Sequence, residues 1–168
     1  MRGMGRVTCQ ISVSLDGFAA GPDQSAEHPL GAGGERLHEW MFATPTGAAM
    51  VGGAAGEPGV DDEFVRRGLE GMRATIMGRN MFGPVRGPWP DDEWRGWWGD
   101  DPPYHHDVFV LTHHPREPVT MAGGTTFHFV PDGIQQVLSG RSALPGVRTC
   151  GSSKTWTARS TATSAPSS

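Results

Sequence analysis

Three apolar runs in this chain are too short for helices and too apolar for loops. They are "ATIM" at 74–77, "VFVL" at 108–111 and "TTFHFV" at 125–130. Runs of four to six apolar or β-branched residues bounded by Gly, Pro or charged residues read as strands. Between and after them lie stretches with helical spacing. "DDEFVRRGLEGM" places Phe64, Val65, Leu69 and Met72 on one face, with Asp61 as the expected N-cap. "PDGIQQVL" places Ile134, Val137 and Leu138 together behind Asp132, a second expected cap. Strands alternating with helices predict an α/β fold.

Other stretches extend the pattern. "VTCQISVSL" (7–15) alternates Val7, Cys9, Ile11, Val13 and Leu15 with polar residues, the signature of a half-buried strand. It ends at Asp16-Gly17, followed by a Gly/Pro loop. "GERLHEWMF" (34–42) has Leu37, Trp40 and Met41 at helical spacing. Residues 45–60 are small and Gly-rich and read as a mobile loop or an insertion. Residues 83–104 form a long Pro/Trp/Gly excursion. Its tryptophans Trp89, Trp94, Trp97 and Trp98 suit an irregular cover on the core. "GVRTCG" (146–151) is a candidate last strand.

The 168 residues suit one domain with a real core, assigned to residues 1–150. The remainder differs in composition. All 18 acidic residues lie at or before Asp132, and Lys154 is the sole lysine. From Thr149 to Ser168, 11 of 20 residues are Ser or Thr, so 151–168 reads as a disordered tail. A net charge of −4 with no basic run argues against a nucleic-acid partner. No apolar stretch approaches the ~18 residues of a membrane helix, and the N-terminus lacks the apolar core of a signal peptide. Cys9 and Cys150 make no disulfide framework. A soluble cytoplasmic protein is expected.

The candidate chemistry starts at the exit of the second strand. "IMGRN" leaves it through Gly78, places Arg79 next and opens a helix near Asn80. Glycine admits a ligand to the backbone, a helix start offers N–H groups, and arginine adds a charged fork, so the exit suits a phosphate. No Walker pattern or dinucleotide glycine fingerprint is present. His105, His106, His113 and His114 flank one strand in two pairs. By strand rise the pairs stand about 20 Å apart, so they read as polar strand ends rather than one metal set. No metal is expected.

Four stretches in order, "ISVSLDGFAAGPD" (11–23), "IMGRNMFGP" (76–84), "FVLTHHP" (109–115) and "TTFHFVPDGI" (125–134), resemble the dihydrofolate-reductase-like reductases. The branch resembled is the riboflavin-biosynthesis reductase domain, and the match spans about residues 6–148. The resemblance implies a dihydrofolate-reductase-like fold, a mixed sheet flanked by helices, and NADPH as cofactor. It implies hydride transfer to a small polar heterocyclic substrate, as in 5-amino-6-(5-phosphoribosylamino)uracil reductase, and a homodimer.

It also implies site residues. Gly78, Arg79 and Asn80 would meet the NADPH phosphates, with Arg79 near the 2′-phosphate. Leu111, Thr112 and His113 would lie at the adenosine side, and Gly17, Phe18, Ala19 and Ala20 at the nicotinamide side. Asp16 would face the substrate. "GERLHEWMF" stands in the place of the helix on which the folate enzymes carry a buried acid, and Glu35, His38 and Glu39 are the candidates there, with His38 assigned to catalysis. Past residue 150 the family continues with a glycine-rich diphosphate turn, a helix and further strands. Here Gly151, Ser152 and Ser153 stand at that turn, and the pattern then stops. The sheet is therefore expected to be incomplete at its C-terminal side. An inactive remnant or binding module is one alternative, and dihydrofolate reductase activity another.

Overall fold

The computed structural model describes residues 7–83, 87–89 and 91–139. These form two compact units, 7–70 and 71–139. The proposed strand at 146–151 and the tail lie outside the described residues.

Residues 7–70 are helical and irregular. A 3-10 turn, Gly34–Leu37, leads through His38 into α1 (Glu39–Phe42). The single helix expected over 34–42 is thus broken at His38. α2 (Pro45–Met50) occupies part of the stretch expected to be a loop. Its cause is local: Thr44 Oγ1 accepts the Gly47 N–H at 3.0 Å, and Pro45 fits the first turn, which needs no N–H donor there. α3 (Val60–Leu69) begins after Gly59. Asp61, expected as its cap, lies inside the first turn with Asp62 and Glu63, where acids suit the positive helix end. Asp62 instead accepts the Thr46 N–H of α2 at 2.8 Å. Hydrogen bonds from Thr46 hold its carboxyl below the usual carboxylate range.

The strand expected at 7–15 is not formed. No residue of this segment joins a ladder, and Ile11 and Leu15 are 64% and 90% exposed. Alternation makes a segment fit for a sheet, but a strand exists only through a hydrogen-bonded neighbour. The segment ends in a closed turn. Ser14 N–H donates to the Phe18 carbonyl at 2.8 Å, and Gly17 takes φ +90, which a side chain would resist.

Residues 71–139 hold the sheet. β1 (Ala74–Gly78), β2 (Asp107–Leu111) and β4 (Thr126–Val130) are parallel neighbours, and the two-residue β3 (Val119–Thr120) runs antiparallel on the edge of β4. The order is β1-β2-β4-β3, a mixed sheet in an α/β arrangement. Register places Met77, Val110 and Phe129 in line, and Thr75, Val108 and Phe127 in line. This face carries the core. α4 (Arg79–Phe82) adds Phe82, which is fully buried, and the loop after β3 adds Met121. The tryptophan excursion closes over it: Trp89, Trp94, Trp98 and Tyr104 pack against the cluster, as the composition of that segment predicts. Its indoles are anchored by polar bonds, Trp89 Nε1 to the His114 carbonyl at 2.9 Å and Trp94 Nε1 to the Phe82 carbonyl at 2.8 Å. Burial raises the Tyr104 phenol well above its usual range.

The opposite face carries Ile76, Phe109 and His128 in line. His128 is 5% exposed and faces Asp107 Oδ1 at 2.9 Å. α5 (Ile134–Ser139) packs on β4 and starts after Gly133, so Asp132 lies one position too early to be its cap.

His106, at the start of β2, bonds Thr75 Oγ1 at 2.8 Å. Burial pushes its imidazole below the usual histidine value, against the pull of Asp107. A base with a lowered folded pKa contributes stability fully present above the unfolded value of ~6.5 and lost as pH falls through the folded one. Chemical-denaturation midpoints should therefore hold above about pH 7.5 and drop as pH falls through and below ~6.5. His106→Gln should flatten that part of the profile.

Candidate anion site at the strand exits

Parallel neighbours end on the same side of the sheet, so β1, β2 and β4 deliver their following residues to one place. A cavity of about 380 Å³ lies there. Arg79 and Asn80 follow β1, Thr112, His113 and His114 follow β2, and Pro131 and Gly133 follow β4; Leu111, Val130 and Gly87 complete the lining. Crevices outside the carboxyl ends of parallel strands are where α/β sheets bind ligands.

Gly78 has φ −80 and ψ 160, a conformation open to any residue, and a Cβ there would meet nothing within 4 Å. The strand exit is therefore open space rather than a packed turn. α4 is one turn long, so positive charge at this exit rests on the Arg79 guanidinium and not on a helix dipole. The Arg79 Nε and Nη1 are buried and meet no acceptor among the described residues. Its Nη2 lies 3.4 Å from the Gly87 carbonyl, long for a hydrogen bond. Burial, then the like charge of Arg116, lowers its pKa.

Thr112 is largely committed within the fold. Its N–H donates to the Val130 carbonyl at 3.1 Å, and its hydroxyl accepts the His114 N–H at 3.1 Å. The first bond fixes the β2 exit beside that of β4, and the second closes the turn that follows β2. Asn80 and His113 are exposed, with polar side chains open to solvent. The structure thus brings together Gly78, Arg79, Asn80, Leu111, Thr112 and His113, the residues placed at the phosphates and the adenosine side.

The remaining candidates belong to the unit of residues 7–70. Asp16 accepts the Ser14 hydroxyl at 2.6 Å, inside the turn that also holds Gly17 and Phe18. Ala19 and Ala20 follow that turn. His38 has a buried Nδ1 without a partner, and its ring lies 6.4 Å from that of Phe42. Glu35 and Glu39 are exposed. Gly151 and Ser152 lie outside the described residues.

Two contributors carry no local signal in the sequence. Trp89 stacks on Arg79, with the guanidinium carbon 3.2 Å from a ring centroid. Arg116 is tied to the excursion by the Asp92 and Trp94 carbonyls and by the Asp92 carboxylate at 3.3 Å. Both reach the site through tertiary packing.

The histidine pairs stand at opposite ends of β2, and His105 bonds the Gly123 carbonyl at 3.0 Å. Among the described residues no group of three or more His, Cys, Asp or Glu could hold a metal, and no helix is long and apolar enough to cross a membrane. The chain matches no protein-family model, and no curated protein matches it.

Proposed function

We propose that this protein is a cytoplasmic, NADPH-dependent reductase with a dihydrofolate-reductase-like fold. It would transfer hydride to a small polar heterocycle, similar to the uracil reductase of riboflavin biosynthesis, and act as a homodimer. One observation carries the reading: three neighbouring parallel strand exits converge on one cavity, with an arginine whose buried N–H groups have no acceptor among the described residues. A phosphate is the ligand chemistry that would satisfy such an arginine.

The residues present fit that cofactor's anionic end. Arg79 would hold the 2′-phosphate, with Asn80 and His113 adding exposed polar groups beside it. Thr112 would act mainly by holding two strand exits in register. Gly78 would leave the backbone accessible. When bound, NADPH supplies the hydride. The chain would contribute alignment and exclusion of water. Asp16, with residues 17–20, and His38 are the proposed substrate-side groups, and His38 is the proposed proton carrier.

A second reading is a nucleotide-binding module without turnover. The segment at 7–15, expected to sit in the sheet near the substrate, joins no strand ladder among the described residues.

A thermal melt of the full chain with NADPH, and NADH as control, tests the first step. At a hundredfold excess over Kd a ligand adds about 2.7 kcal/mol. Stabilisation by NADPH beyond that by NADH supports a 2′-phosphate site. A melt indifferent to both nucleotides would remove the reductase proposal. Stabilisation without NADPH oxidation in the presence of candidate heterocycles would favour the second reading.

A further inference from the structure

Two cations share the Trp89 ring, and they are not equivalent. Arg116 lies 5.3 Å from a ring centroid and is paired with Asp92. Arg79 lies 3.2 Å from a ring centroid, and no acid pairs with it among the described residues. Its Nε and Nη1 are buried with no acceptor among the described residues. Unmade hydrogen bonds on the buried N–H groups of a cation are costly, and an aromatic face offsets only part of that cost. The stack is therefore a fallback for a guanidinium that lacks an anion.

Gly83 makes room for the stack. A Cβ there would lie 2.5 Å from Arg79 Nη1 and 3.1 Å from Trp89 Cζ3. Its φ of −136 and ψ of 151 suit any residue. Alanine at 83 would disturb the guanidinium and indole rather than the backbone.

We propose that Arg79 has two positions: a resting one stacked on Trp89, and a bound one in which a phosphate-bearing ligand in the cavity draws the guanidinium off the indole. Trp89 is then a built-in competitor of the ligand and a positioning residue that sets its affinity. A phosphate is the fitting class because it offers paired charged acceptors to the guanidinium fork. The ligand gains only the difference between the two positions. Weakening the stack must therefore tighten binding. This regulation rests on the anion-binding part of the reading above and not on the identity of the nucleotide.

The test uses the full chain labelled with ¹⁵N at arginine. The Arg79 Nε–H resonance is assigned by its loss in Arg79→Lys. It should stand upfield of the other arginines, because it lies against an indole face, and move downfield on adding sodium pyrophosphate or NADPH. Gly83→Ala should show the downfield position without ligand and bind pyrophosphate roughly fivefold to tenfold more tightly. Trp89→Leu provides the same affinity test should Gly83→Ala fail to fold. Three outcomes overturn the proposal: an ordinary resonance position in the ligand-free protein, an upfield resonance indifferent to both ligands, or no gain in pyrophosphate affinity in the folded variants. A response to pyrophosphate without NADPH binding keeps the two-position arginine and removes the reductase reading.

Discussion

Arg79→Ala is expected to weaken NADPH binding roughly 10- to 100-fold while leaving any NADH binding nearly unchanged. Hydrogen bonds to a charged group contribute about 1.5–3 kcal/mol, and the guanidinium is the one cation lining the cavity without an acid partner among the described residues. The effect on folding should be much smaller. Alanine removes a cation–π contact of up to ~2 kcal/mol, but it also removes two buried N–H groups that have no acceptor among the described residues. Arg79→Lys keeps the charge without the planar fork and should fall between the two. Titration calorimetry with both nucleotides checks this. Equal affinities in parent and Arg79→Ala would take Arg79 out of the site.

The largest effect on stability is expected from Phe82→Ala. Phe82 is fully buried and makes edge-on contacts with Phe127 at 4.9 Å, Phe129 at 5.1 Å and Trp89 at 5.7 Å. It joins the sheet face to the tryptophan cover, so its removal opens a cavity under both. Such truncations cost about 3–5 kcal/mol, a large share of the 5–15 kcal/mol typical of a domain. Urea unfolding followed by tryptophan fluorescence should show the midpoint fall by a matching amount. A loss below ~1 kcal/mol would mean the cover does not depend on Phe82.

The parallel strands were legible because each is a compact apolar run whose length alone excludes a helix. β3 was not: Val119 and Thr120 are defined as a strand only by facing Phe127 and Thr126. The segment at 7–15 shows the reverse failure. Its alternation is real, yet alternation encodes fitness for a sheet and says nothing about a partner. α2 was hidden because its small residues lack an apolar stripe. Its signal was Thr44-Pro45, a cap followed by a residue suited to the first turn. At the site, Gly78-Arg79 is contiguous and readable. The Trp89 face and the Arg116 charge arrive from separate parts of the chain, and only packing brings them to the guanidinium.

The order of strands in the sheet has a bearing on how the protein is made. β1, β2 and β4 pair in the sequence in which they are synthesised, and β3 lies between β2 and β4 along the chain. Each ladder needs only what has already left the ribosome. The four strands of the described residues can pair once Val130 has emerged. The two parallel pairings span 33 residues, from Ala74 to Asp107, and 19 residues, from Asp107 to Thr126, so β1 waits longest for its partner. For a nascent chain rich in tryptophan, that order limits how long the sticky face is on offer to chaperones and to neighbouring chains.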